Sequence, residues 1–213
     1  MNSVDYVREL IGSAQIDQTD EESICAGSAE AVAVGGGRID VLVNNGHEPL
    51  AADWRTVTAA EFNRHLMNAT RYFLLSRLLR EHVGARGTGA HGRIVMIGSM
   101  YAVVGSYPDA YEGIATGSPV AYHMLKGGIV QLTRHLAFYW ARDGIRVDCL
   151  GPGPFPDTAH ASPALVQRLS NKSPMGRMGE PDELKGAVVF LASDASSYTT
   201  GQNFVIDGGW TAW

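Results

Sequence analysis

Cysteine is scarce in this chain: Cys25 and Cys149 are the only two in 213 residues. Two cysteines exclude a disulfide framework, and a reduced, cytoplasmic setting is the expectation. Basic charge is also short, with 17 Lys and Arg against 22 Asp and Glu and a formal net charge of -5. That leaves no positive field to hold a phosphate backbone, so no nucleic-acid partner is expected. Apolar runs such as Ala187 to Ala192 fall far short of a membrane span. The opening MNSVDYVREL has no basic start followed by an apolar stretch, the mark of a secretory signal. The seven histidines form no HExxH and no Cys/His cluster at metal spacing, so no metal is expected. No Pro/Ser linker, low-complexity block or internal repeat divides the chain.

What remains is an ordinary globular composition, 45% hydrophobic and 18% charged, long enough for one domain with a full core. Short apolar runs alternate with longer helical patterns. Strands are expected at Ala14–Asp17, Ile39–Asn44, Arg93–Ile97, Ile145–Leu150 and Asn203–Ile206. Helices are expected at Thr19–Val34, Thr58–Leu79, Pro119–Arg142 and Pro181–Leu191. Thr58 and Glu61 stand at capping-box spacing. Ser118 takes the N-cap position of the third helix, Pro119 its first turn and Gly144 its end. The strands are near-continuous apolar runs, which means burial on both faces, as in a parallel sheet covered by helices. The reading is an α/β fold with a Rossmann-like, doubly wound parallel sheet over residues 1–213. Such sheets bind ligands beyond the carboxyl ends of their strands. Asn44-Asn45-Gly46, Gly98-Ser99 and Gly151-Pro152-Gly153 lie there.

Three polar groups distant in sequence can meet at that rim. Ser99 follows the RIVMIG strand. Tyr122 and Lys126 are four apart near a helix start and share a face. A lysine cation near a tyrosine favours phenolate and lowers the phenol pKa from about 10 toward neutrality. Such a tyrosine can exchange a proton with an alcohol or carbonyl oxygen, and the Ser99 hydroxyl can hold that oxygen. The plain reading of a Tyr/Lys pair is a solvated helix face, and that of Ser99 a turn residue.

From about Asp17 to Trp213 the sequence resembles the short-chain dehydrogenase/reductase family. The resemblance rests on DVLVNNG (Asp40 to Gly46), RIVMIGS (Arg93 to Ser99), YHMLK (Tyr122 to Lys126), RVDCLGPG (Arg146 to Gly153) and GQNFVIDGGW (Gly201 to Trp210). It implies an NAD- or NADP-dependent oxidoreductase that moves a hydride between nicotinamide and a small carbonyl or alcohol. By resemblance Tyr122 is the acid/base, Lys126 lowers its pKa and touches the nicotinamide ribose, Ser99 positions the substrate oxygen and Asn68 completes a proton relay. Asp17 would sit at the adenine, Asn44 and Gly46 beside the cofactor, and Pro152 and Gly153 against the nicotinamide. Two rival readings keep the scaffold without redox chemistry: a cofactor-independent lyase or isomerase using Tyr122, or an inactive subunit that only assembles.

Several positions depart from the family pattern. His47 follows Asn44-Asn45-Gly46 where Asn-Asn-Ala-Gly is usual, and reads as a loop residue facing solvent. Asp148 replaces the asparagine of the RVN strand. The segment from Ser99 to Tyr122 is long and carries Tyr101, Tyr107 and Tyr111, as a substrate-side loop or as surface packing. The family opens with a strand, a glycine-rich turn and a helix, then a second strand and helix, and this sequence has no such unit. Gly35-Gly36-Gly37 follows a helix and precedes a strand, so it reads as a helix end rather than a phosphate cradle. The first two strands of the usual fold are therefore expected to be missing. Either Ala14–Asp17 moves in beside Ile39–Asn44, or an edge stays open, or the gene product begins upstream. Weak binding of NAD or NADP follows from the loss of that turn. A homo-oligomer, tetramer or dimer, is expected from Phe62, Leu66, Tyr72, Phe73, Leu132, Leu136, Phe138, Tyr139 and Trp140, which give the two long helices more apolar surface than one sheet face can bury. Trp210 and Trp213 either dock on a neighbour or fold back onto their own subunit.

Overall fold

The computed structural model describes residues 12–49, 52–115, 117–156 and 161–212. Within them four strands form one parallel sheet: β1 (Val41–Asn44), β2 (Gly92–Ile97), β3 (Ile145–Pro152) and β4 (Asn203–Ile206), in the order β1-β2-β3-β4. The helices are α1 (Glu21–Val34), α2 (Ala59–Ala85), the single turn α3 (Pro108–Tyr111), α4 (Val120–Trp140), α5 (Pro163–Lys172) and α6 (Lys185–Ala192). The expected parallel α/β architecture is present; β2 and β3 extend their expected runs, β4 matches its own and β1 starts two residues later than expected.

Alternating strand residues sort onto two faces. Ile94, Met96, Ile145, Val147 and Cys149 pack with Leu79 and Val83 of α2 and with Leu125, Ile129 and Leu136 of α4. Val95 and Leu150 face the other way, against Leu191 of α6. That burial on both sides is why the strands carry no polar alternation. The α2 helix starts where its capping box places it, with the Thr58 hydroxyl and the Glu61 carboxylate each satisfying the other's backbone N–H.

Several boundaries differ from the sequence expectation. Residues 14–17 form no strand. A strand needs a ladder partner, and among the described residues none lies beyond β1. Instead Ile16 drops into an apolar groove between α1 and α2, beside Leu42 and Leu79, and Asp17 closes a side-chain turn on Thr19. Ser118 does not cap α4: Pro119 holds the N-cap position with no side-chain hydrogen bond. The stretch after Pro181 is a 3₁₀ turn over Pro181–Leu184 before α6 begins.

The aromatic surface also sorts differently. Tyr72 and Leu136 belong to the core, whereas Phe138 and Tyr139 are 84% and 64% exposed. Trp210 is buried in its own subunit and packs against Tyr107; Trp213 lies outside the described residues. Because Ile129 is fully buried midway along α4, Ile129→Ala is expected to cost about 2–5 kcal/mol. That is a fall of roughly 4–20 °C in melting temperature for a domain of this size, read by thermal denaturation.

Candidate active site

The carboxyl ends of β2 and β3 open on a cleft of about 460 Å³. Its lining includes the polar His47, Ser99 and Tyr122 and the apolar Phe155, Leu165, Leu169 and Met178. Ser99 is delivered by the turn after β2. Gly98 is required in that turn, because a Cβ there would stand 2.6 Å from the Cys149 sulfur of β3. The Ser99 hydroxyl accepts the Tyr101 N–H at 3.1 Å, which starts a short 3₁₀ turn. Tyr101 continues the wall, its hydroxyl 2.8 Å from that of Tyr111. The Ser99–Tyr122 segment thus includes part of the cleft wall, through Tyr101 and Tyr111, while Tyr107 packs on Trp210.

Tyr122 and Lys126 occupy the first turns of α4 and share a face. Lys126 is 3% exposed, and its ammonium donates to the Ile97 carbonyl at the end of β2 at 2.8 Å. The same nitrogen stands 5.4 Å from the Tyr122 ring centroid. Burial pulls the Lys126 amine down to about 8. Burial raises the Tyr122 phenol, and a hydrogen bond from Ser99 pulls the other way. The expected lowering of the phenol is therefore corrected: desolvation of the buried phenol outweighs the bond from Ser99.

The remaining candidates scatter. Asn44 is buried at the end of β1, and its amide nitrogen donates to Ser76 Oγ at 3.0 Å and to the Tyr72 carbonyl at 3.3 Å. It locks β1 to α2 rather than facing the cleft. Gly46 packs against the Gln18 side chain. Asp17 is held below the usual carboxylate range by its hydrogen bonds to Thr19. Pro152 ends β3, and Gly153 donates to the Ile206 carbonyl at 2.8 Å and reaches the cleft. The Asn68 amide is wholly engaged elsewhere: it donates to the His65 and Glu48 carbonyls at 2.8 and 3.2 Å and accepts the Glu48 N–H at 2.9 Å. Its side chain clamps the loop after β1 and touches neither Tyr122 nor Lys126. Asp148 is buried and accepts the Gln202 N–H at 3.0 Å, a structural post between β3 and β4.

Two histidines change the picture. His47 does not face solvent as expected; it is half-buried, with its ring centroid 5.6 Å from that of Tyr122. His65, on α2, stands edge-on to His47 at 5.1 Å and 6.2 Å from Tyr122. It is 3% exposed, and neither ring nitrogen has a hydrogen-bond partner among the described residues. His65 escaped the sequence reading, although a signal was present. His65, Asn68, Tyr72 and Ser76 recur at helical spacing along the buried face of α2, an unusually polar stripe for a core helix.

Burial, Lys126 and His65 together push His47 down to about 4. An unfolded histidine titrates near 6.5, so between those values the unfolded chain binds more protons. Stability is therefore complete above pH 6.5 and lost as pH falls toward 4. The shift corresponds to about 3 kcal/mol undiscounted, and half-exposure reduces it to about 1–2 kcal/mol. His47→Ala is expected to shrink the stability drop between pH 7 and pH 4.5 by that amount in urea titrations. An unchanged drop would show that the ring is solvated.

A family model described as enoyl-(acyl carrier protein) reductase matches residues 4–211. The chain is 37% identical over 209 residues to galactitol 2-dehydrogenase (L-tagatose-forming) of Cereibacter sphaeroides, across 92% of this chain and 74% of that one. It is 34% identical to gluconate 5-dehydrogenase of Gluconobacter oxydans, across 93% and 74%. A short chain dehydrogenase of Leptospira borgpetersenii with bound NAD+ superposes with a TM-score of 0.83 at 35% identity, across 92% and 74%. A gluconate 5-dehydrogenase of Burkholderia cenocepacia in complex with NADP and tartrate gives 0.81 at 30%, across 94% and 75%.

Proposed function

Because the chain belongs to the short-chain dehydrogenase/reductase family and is an oxidoreductase of that type, we propose that it interconverts a small carbonyl compound and its alcohol at Ser99, Tyr122 and Lys126. The observation that carries this reading is their approach to one another at the carboxyl ends of β2 and β3, with Ser99 and Tyr122 lining one cleft.

In the reducing direction the Tyr122 hydroxyl, kept protonated by burial, donates its proton to the substrate oxygen. Ser99 donates a hydrogen bond to that oxygen and fixes it. The Lys126 ammonium offsets the charge of the phenolate that results. When bound, a nicotinamide cofactor supplies or accepts the hydride. Lys126 fits one end of such a group: a lysine carries three donors, and a single one is recorded, toward Ile97. Pro152, which ends β3, and Gly153, which lines the cleft, are assigned to the same group. Asn68 is assigned as a positioning residue through the loop after β1, and Asn44 through the β1–α2 junction. Asp17 and Gly46 lie together beside Gln18, where they are assigned to the distal part of the cofactor. The described residues offer no glycine-rich turn that follows a strand and opens a helix, the usual source of pyrophosphate donors.

A homo-oligomer joined through the exposed Phe138–Tyr139 end of α4 accompanies this reading. Light scattering that finds a monomer at micromolar concentration would reject it. Tyr122→Phe is expected to lower turnover of a carbonyl panel by about 10²–10⁴ with the fold intact. Loss of less than tenfold, followed as NADH and NADPH oxidation, would remove Tyr122 from the chemistry. Titration calorimetry of the 213-residue chain is expected to give dissociation constants weaker than micromolar for both nucleotides, and micromolar or tighter binding would reject that expectation.

A further inference from the structure

The loop after β1 is held by an unusual set of bonds. The Glu48 backbone is pinned at both its N–H and its carbonyl by the Asn68 amide. The Glu48 carboxylate is gripped by Arg64 and, at 3.2 Å, by the buried Arg71 guanidinium. All three partners stand on α2. The clamp leaves His47, the preceding residue, with its ring turned into the cleft beside Tyr122 and backed edge-on by His65.

We propose that His47 is a substrate-recognition residue that hydrogen-bonds a second oxygen of the substrate, close to the carbon whose own oxygen is held by Ser99 and Tyr122. This rests on the redox reading of Ser99, Tyr122 and Lys126 and names the substrate class that the site prefers. Three observations converge on it. His47 lines the same cleft as Ser99 and Tyr122. Its ring is fixed by a clamp that does not use its own nitrogens. A neutral imidazole has one donor and one acceptor, which matches a hydroxyl. The groups facing His47 are Lys126, Arg71, His65, Glu48 and Tyr122. Lys126, Arg71 and His65 oppose its protonation and Glu48 favours it, with burial tipping the balance to the neutral ring. The apolar wall of Phe155, Leu165 and Leu169 accommodates a hydrocarbon body. Vicinal diols and α-hydroxy ketones with an apolar remainder fit this description.

The test compares the vicinal diol of cyclohexane with cyclohexanol, oxidised by the full chain with NAD+ or NADP+. The ratio of kcat/KM for the diol to that for cyclohexanol is expected to fall about tenfold in His47→Ala, the scale of one lost hydrogen bond. His47→Gln, which keeps a donor, recovers part of the ratio. An unchanged ratio, or an equal loss on both alcohols, overturns the assignment. Oxidation of neither alcohol by the native protein defeats the redox reading instead. His47 is then judged by NMR of its imidazole nitrogens in Tyr122→Phe: a shift on adding the diol but not cyclohexanol supports the role, and equal or absent shifts overturn it.

Discussion

One buried hydrogen bond sets the geometry on which the cleft depends. The Lys126 ammonium donates to the Ile97 carbonyl and so ties the first turns of α4 to the end of β2. Ser99 is two residues beyond Ile97, and Tyr122 is one helical turn before Lys126. The bond therefore fixes the distance between serine and tyrosine by holding their supports together. It is a costly choice for the fold, since burial of the ammonium opposes its charge. A charged donor to a carbonyl recovers part of that cost. The remainder is borne by the packing of Leu125, Ile129 and Val130 against the sheet, next to the lysine on the same helix.

The sheet and its long helices were legible because their signals are local. Gly92–Ile97 and Ile145–Pro152 are short, largely apolar runs with buried residues on both faces, and a run of that kind needs no distant information. The α2 start was legible for the same reason, as Thr58 and Glu61 satisfy each other within one turn. Residues 14–17 were not legible: AQID has a strand-like pattern, but a strand exists only where a neighbour supplies a ladder. Pro119 was misplaced by one residue because a proline suits both the N-cap and the first turn geometrically.

The site was legible in its parts and not in its electrostatics. The Ser99, Tyr122 and Lys126 positions follow from motif spacing, and the structure brings them near one another. The sign of the tyrosine shift did not follow. Spacing on a helix tells which residues share a face, not whether an ammonium meets a hydroxyl or a ring. The same limit hid His47. Asn68, Arg64 and Arg71 hold the loop from a helix that begins twelve residues later, and Glu48 is the handle they grip.

That dependence on α2 accounts for five of the nine buried side-chain polar atoms left without a partner among the described residues. Among the described residues, Asn44 Oδ1, both nitrogens of His65, Arg71 Nε and Tyr72 Oη lack partners while buried. All five lie on β1 or on the face of α2 turned toward the sheet and the clamped loop. A helix selected for core packing alone would carry leucine at such positions, because each orphaned group costs about 1–3 kcal/mol. The polar stripe is instead the support of a loop that must present a polar ring at the cleft. Asn68 and Arg71 reach the Glu48 handle only from inside the helix–sheet interface, so their neighbours are drawn into a polar environment that the core cannot fully satisfy. The stability lost along α2 is thus the structural counterpart of His47 held in place: the interface is less well satisfied where the cleft is most defined.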